Sequence, residues 1–265
     1  MIPAPSLAEF AHSSETVGTA TRSVYRIGAS GPGIVLMHEI PGITPQVLRL
    51  AKLLTQRGFR VALPSLFGRD GEEGSRLLDG EMLVRMCVSV EFAVFAANGS
   101  SPVVNWLRGF CQRYSAETGA PVGVIGLCIT GGFALSLVLD TDGLVRAPVM
   151  SEPSLPFPLP LTANASALHL TPDEQTSLQA RPPPCLGLRF TGDYRCRVER
   201  FDAYQRLLGD RFIRIEIASP DPGQHVSADA HSVLTNELSD DPGHPTWAAF
   251  ERVIAFLYTN LANPG

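Results

Sequence analysis

The 265-residue chain has no basic run, no long apolar run and no closely paired cysteines, and each absence narrows what it can be. Lys and Arg total 21 against 26 Asp and Glu, a formal net charge of -5, and no stretch interleaves basic with aromatic side chains. Such a chain has no electrostatic footprint for a polyanion, so nucleic acid is not an expected partner. No segment reaches the roughly 18 consecutive apolar residues that a membrane span needs, so no membrane partner is expected. The N-terminus also lacks the basic start and apolar core of a signal peptide.

The cysteines, Cys87, Cys111, Cys128, Cys185 and Cys196, are odd in number and scattered, with no Cys-x-x-Cys pair. That spacing excludes a disulfide framework or a zinc knuckle and predicts reduced thiols in a cytoplasmic protein. No His, Cys or Asp cluster has ligand spacing, so no metal is expected, and nothing calls for a cofactor. No repeat is visible, and 45% hydrophobic against 18% charged residues can supply one large core. A single domain over 1–265 follows, while oligomeric state is left open.

What is present alternates strand and helix. Residues 1–21 are small and polar and predict a loose arm or a short helix; Ser23 to Ile27 predicts an edge strand. Ile34 to His38 is a continuous apolar run ending at Glu39, a helix with Val47, Leu48, Leu50, Leu53 and Leu54 follows, and Phe59 to Pro64 is the next strand. This unit implies a right-handed crossover in a parallel sheet. Residues 65–80 read as a loop, 81–97 and 102–118 as helices, 143–150 as a strand, and 151–184 as a proline-rich excursion or cap. Strands at 185–190 and 212–217 and helices at 198–208 and 246–261 complete an α/β fold, a mostly parallel central sheet with helices on both faces.

The stretch Val122 to Leu139 organises the rest. An apolar strand runs into Gly126-Leu-Cys128-Ile-Thr-Gly131-Gly132 and then into helical spacing, which reads as a sharp strand-turn-helix. A cysteine on that turn stands above the C-terminal edge of a parallel sheet and at a helix N-terminus, where a thiolate is stabilised. A lone cysteine in an apolar segment is otherwise a core residue. Glu39, also at a strand end, is either a functional carboxylate or an acceptor of backbone N–H groups. Asp193 directly follows a buried strand, unlike its competitors Asp202 and Asp221. The loop after the last strand carries His225 and His231; His38 reads as a satisfied core histidine, His244 as surface, and His12 and His169 have no supporting context. Nucleophile, acid and histidine after successive strands is the chain order of α/β-hydrolases.

The set His38-Glu-Ile-Pro-Gly42, Gly126 to Gly132, Phe190-Thr-Gly-Asp193 and Ala230 to Thr235 resembles the dienelactone hydrolase family of that superfamily. The resemblance spans about Val24 to Leu257. It implies that Cys128 is the nucleophile, His231 the general base, Asp193 the acid orienting the imidazole and Glu39 a carboxylate contacting the resting thiol. The oxyanion hole would be the backbone N–H groups of Ile40 and Ile129. The implied activity is cleavage of a small-molecule ester or lactone through an acyl-thioester, with neither metal nor cofactor.

Two departures stand out. The strict elbow has glycine where this chain has Thr130, and a β-branched residue is expected to take the bend less well. Thr235 occupies the place of a family arginine that holds the substrate carboxylate, leaving Arg69, Arg76 or Arg85 as substitutes. A carboxylesterase or thioesterase of unrelated substrate is therefore an alternative, as is a silent fold used for ligand binding.

Overall fold

A computed structural model describes residues 5–72, 102–139, 141–155, 165–168 and 170–261. The expected helix over 81–97, together with Cys87, Arg76, Arg85 and His169, lies outside the described residues.

An eight-stranded sheet runs in the order β1-β2-β4-β3-β5-β6-β7-β8. Its strands are β1 (Ala11–Val17), β2 (Ala20–Ile27), β3 (Gly33–Met37), β4 (Arg60–Pro64), β5 (Val122–Leu127), β6 (Val145–Ser151), β7 (Cys185–Phe190) and β8 (Phe212–Ile217). β1 and β2 pair antiparallel, β2 runs antiparallel to β4, and the rest of the sheet is parallel. Central strands β3 and β5 are buried along their whole length, as continuous apolar runs demand when both faces are covered.

The pleat sorts their side chains into two cores. Val35, Met37, Val122 and Val124 face one layer, with Trp106, Leu107 and Phe110 of α2 (Pro102–Thr118) and Phe201 and Tyr204 of α5 (Val198–Leu208). Ile34, Leu36, Ile125 and Leu127 face the other, with Val47, Leu50 and Leu54 of α1 (Pro45–Gln56) and Phe250, Val253 and Leu257 of α6 (Pro245–Leu261). Two shorter helices, α3 (Gly131–Ser136) and α4 (Pro172–Ala180), add Phe133, Leu135 and Leu178 to the first layer.

Two expectations are corrected. Where a loose arm or a short helix was expected over 1–21, the described residues form a short 3-10 turn, Leu7–Glu9, followed by β1, which takes the sheet edge and makes β2 an inner strand. No residue of β1 is buried, so pairing with β2 rather than apolar burial holds it, and a burial pattern could not reveal it. The 151–184 excursion contains α4, which a Thr171–Glu174 capping box starts and Leu178 alone anchors by burial. Arg200, fully buried, donates from Nε to the Ala167 carbonyl and from Nη1 to the Pro153 carbonyl, so two separate points of the excursion meet one side chain.

His38 is the satisfied core histidine expected. Nε2 accepts the Leu66 N–H at 2.9 Å and Nδ1 donates to the Glu39 carbonyl at 3.0 Å, joining the ends of β3 and β4. Burial is the main cause that lowers its pKa from 6.5 to about 4. Between those values the unfolded chain binds the extra proton, so this contribution to stability is present above about pH 6.5 and lost as pH falls to about 4. Urea unfolding across that range should show wild-type stability declining by up to about 3 kcal/mol from this group. A His38→Gln variant should lose that part of the slope; an unchanged slope would mean the imidazole titrates normally.

Candidate active site

Each chemistry-bearing side chain stands just beyond the C-terminal end of a parallel strand, where open α/β sheets gather their ligands. Glu39 and Ile40 follow β3, Cys128 follows β5, Glu152 follows β6, Asp193 follows β7 and His231 lies in the loop after β8.

The chain reverses at Cys128 with φ of 51°, the left-handed region that side chains avoid, before a 3-10 turn (Cys128–Thr130) leads into α3. Close packing holds that backbone. A Cβ on Gly126 would sit 2.2 Å from the Thr130 carbonyl oxygen, and one on Gly131 would sit 2.7 Å from the Pro153 Cα. The Cys128 carbonyl accepts the Ser154 N–H at 3.0 Å. Thr130 itself adopts φ -88° and ψ -4°, the sparsely populated bridge region typical of turns, so the turn asks no positive φ of this β-branched residue.

Cys128, His231 and Asp193 come together although 103 and 38 residues separate the bonded pairs. His231 Nε2 lies 3.2 Å from Cys128 Sγ, and His231 Nδ1 donates to Asp193 Oδ2 at 2.7 Å. Asp193 Oδ1 accepts the Arg195 N–H at 2.9 Å, and buried Arg189 donates to the carbonyls of Thr191 and Cys196, bracing the turn that presents the acid. All three groups are nearly enclosed, with Cys128 7%, Asp193 3% and His231 8% exposed. Burial disfavours a charged imidazole, but the Cys128 sulfur and the Asp193 carboxylate bonded to its two nitrogens hold His231 well above the usual histidine range.

The histidine rivals do not reach this cluster. His225 is exposed, and His244 is half-buried at the surface, contacting Thr246 and the Gln224 carbonyl. Asp202 pairs with Arg214, and Asp221 caps the turn at Gly223 and Gln224. Exposed Arg69 pairs with Glu72.

Glu39 departs from its implied contact with the resting thiol. Its Oε2 accepts the Ser232 hydroxyl at 2.7 Å and its Oε1 accepts the Thr235 hydroxyl, so the carboxyl grips the histidine loop while the sulfur meets the imidazole. Two carboxyls that sequence reasoning missed grip the same loop. Glu237 Oε1 accepts the His231 N–H at 3.4 Å, and Glu152 Oε2 accepts the Val233 N–H at 3.2 Å and the Ser151 hydroxyl at 2.5 Å. Burial pushes both carboxyls above the ordinary range, Glu152 strongly. The signal in sequence was faint: an acid directly after the β6 run, the same pattern that singled out Glu39.

A model of the dienelactone hydrolase family matches residues 21–169, more than half of the chain, including Glu39 and Cys128. This chain belongs to the dienelactone hydrolase family. Membership places it among hydrolases acting on ester bonds. A carboxymethylenebutenolidase from Rhodococcus opacus is 23% identical over 234 residues, covering 86% of this chain and 81% of that protein. The crystal structure of a dienelactone hydrolase from Anabaena variabilis superposes with a TM-score of 0.61 at 17% identity, over 95% of this chain and 98% of that one. An esterase from Pyrococcus furiosus does so with a TM-score of 0.61 at 14% identity, over 96% and 93% of the two chains. At these identities the structural likeness speaks of the α/β-hydrolase fold alone. No helix among the described residues is long and apolar enough to cross a membrane.

Glu152 offers a direct check on how this family member holds its histidine loop. Glu152→Ala strips the partner from the Val233 N–H and leaves a cavity, and should cost about 2–4 kcal/mol in urea unfolding. Glu152→Gln keeps an acceptor oxygen and should cost less than about 1 kcal/mol. Equal losses in both variants would mean that a charge, not an acceptor, holds the loop.

Proposed function

We propose that this dienelactone hydrolase family member is a cysteine hydrolase cleaving a small ester or lactone through an acyl-thioester on Cys128. The observation that carries the reading is the continuous contact from Cys128 Sγ through His231 to Asp193, at 3.2 and 2.7 Å. A thiol becomes a strong nucleophile when an adjacent base takes its proton, and a carboxylate behind the base fixes the tautomer and stabilises the imidazolium.

The thiolate attacks the carbonyl carbon and the oxygen takes up the negative charge. The Ile129 N–H begins the turn after Cys128, and the Ile40 N–H follows the neighbouring strand, whose Met37 pairs with Gly126. Two such donors aimed at one oxygen are each worth about 3 kcal/mol in the transition state. The tetrahedral adduct collapses, the C–O bond breaks, and His231 Nε2–H protonates the departing oxygen. Water, deprotonated by His231, then attacks the thioester carbonyl and releases the acid and the thiolate. The chemistry calls on no cofactor, and a free thiol nucleophile suits a reducing compartment such as the cytoplasm.

One observation favours neutral esters over carboxylate-bearing lactones. Thr235, standing where the family arginine was looked for, gives its hydroxyl to Glu39, and the charged side chain it engages is an acid. An anionic acyl group would meet Glu39 there rather than a cation.

A p-nitrophenyl ester panel and a lactone test the reading. Cys128→Ala should abolish hydrolysis, and Asp193→Asn should lower kcat by about 10³–10⁴ by presenting the wrong tautomer. Iodoacetamide should label Cys128 ahead of Cys111, Cys185 and Cys196, which are fully buried. Hydrolysis by the Cys128→Ala variant at the wild-type rate would sink the thiol mechanism. No hydrolysis by the wild type, with Cys128 no more reactive than the buried thiols, would leave the silent binding fold in front.

A further inference from the structure

Thr130 is the residue at which this elbow departs from the strict glycine pattern, and its side chain is fully buried. Its Oγ1 accepts the Leu127 N–H at 2.9 Å and lies 2.9 Å from the Leu127 carbonyl, 3.0 Å from the Met37 carbonyl and 3.2 Å from the His38 carbonyl. A hydroxyl carries one proton, so it donates into this cluster of carbonyls while accepting from the elbow strand. One atom therefore joins two backbones: the last residue of β5, immediately before Cys128, and the end of β3, immediately before Glu39 and Ile40.

Those backbones carry the two proposed oxyanion donors, Ile129 N–H on the elbow and Ile40 N–H beyond β3. Sheet pairing of β3 with β5 ends at Met37 and Gly126, short of both donors, so beyond that register the strands need another tie. We infer that Thr130 is a positioning residue whose hydroxyl sets the spacing between the two halves of the oxyanion hole. This rests on the proposed ester hydrolysis at Cys128 and adds to it a residue that touches neither substrate nor sulfur. A glycine at this position would leave the turn's conformation available but the Leu127 N–H and the β3 carbonyls without their shared partner.

The experiment separates the two chemistries of the sulfur. Iodoacetamide alkylation is a direct displacement that builds no oxyanion, whereas ester hydrolysis requires one. In the full chain, Thr130→Val and Thr130→Gly should lower kcat for a p-nitrophenyl ester by at least about tenfold with KM little changed. Alkylation of Cys128 should stay within about threefold of wild type, and Thr130→Ser, which keeps the hydroxyl, should restore hydrolysis. Wild-type kcat in the Val or Gly variant would overturn the inference. So would alkylation falling in step with hydrolysis, or loss of the folded circular dichroism spectrum in both variants, since either marks a merely structural hydroxyl. Cys128→Ala measured alongside keeps the outcomes apart: if it still hydrolyses the ester, the thiol mechanism itself has failed, and if it does not, the Thr130 results stand on their own.

Discussion

A cysteine in the left-handed backbone region costs on the order of 1–2 kcal/mol relative to a helix or strand, and Cys128 stays there only because its surroundings leave the chain no other path. Gly126 and Gly131 allow backbone to pass where no side chain fits, Pro153 closes against α3, and Ser154 takes the Cys128 carbonyl. What that strain secures is direction. The side chain leaves the end of the central strand at the edge of the apolar layer it shares with Ile129 and Phe133, with its sulfur against His231.

The histidine loop is gripped as firmly as the elbow. Successive groups of His231, Ser232, Val233 and Thr235 each end on a carboxyl: Asp193 and Glu237 for His231, Glu39 for the two hydroxyls, Glu152 for the Val233 amide. Three buried carboxylates and a half-buried fourth in one place would repel one another beyond what their hydrogen bonds offset. Glu152 and Glu237 are pushed toward their neutral forms by burial, with the charge of Glu39 adding to it. The loop thus gains acceptors at several points without gathering a negative charge at each, and the carboxylate bonded to the imidazole keeps its electrostatic effect on the ring.

Much of this was legible in sequence because continuous apolar runs mark strands buried on both faces, and a polar residue just after such a run marks the functional edge of a parallel sheet. Cys128 and Asp193 were singled out that way, whereas His231 was one of two histidines in the loop after the last strand and took its role from the family resemblance; helices such as Pro102–Thr118 and Val198–Leu208 declared themselves by apolar spacing. The misses have a common cause: their determinants are partners distant in sequence. β1 has no buried residue to reveal it and exists through its pairing with β2. Glu39 reaches Ser232 and Thr235 across 193 and 196 residues, and Glu152 reaches Val233 across 81, so no local pattern could say which group each carboxyl would meet. Thr130 looked like a blemish on a glycine motif, and only the approach of β3 shows the carbonyls its hydroxyl serves.

Among the described residues Arg200 is the largest fully buried side chain, and a guanidinium is costly to bury, which directs notice to what it holds. It fastens the backbone carbonyls of Pro153 and Ala167 to one helix beside the acid turn. The residue after Pro153, Ser154, holds the Cys128 carbonyl, and Arg200 belongs to the helix that follows the Asp193 turn, so one guanidinium gives the nucleophile's backbone and the acid's turn a common reference point.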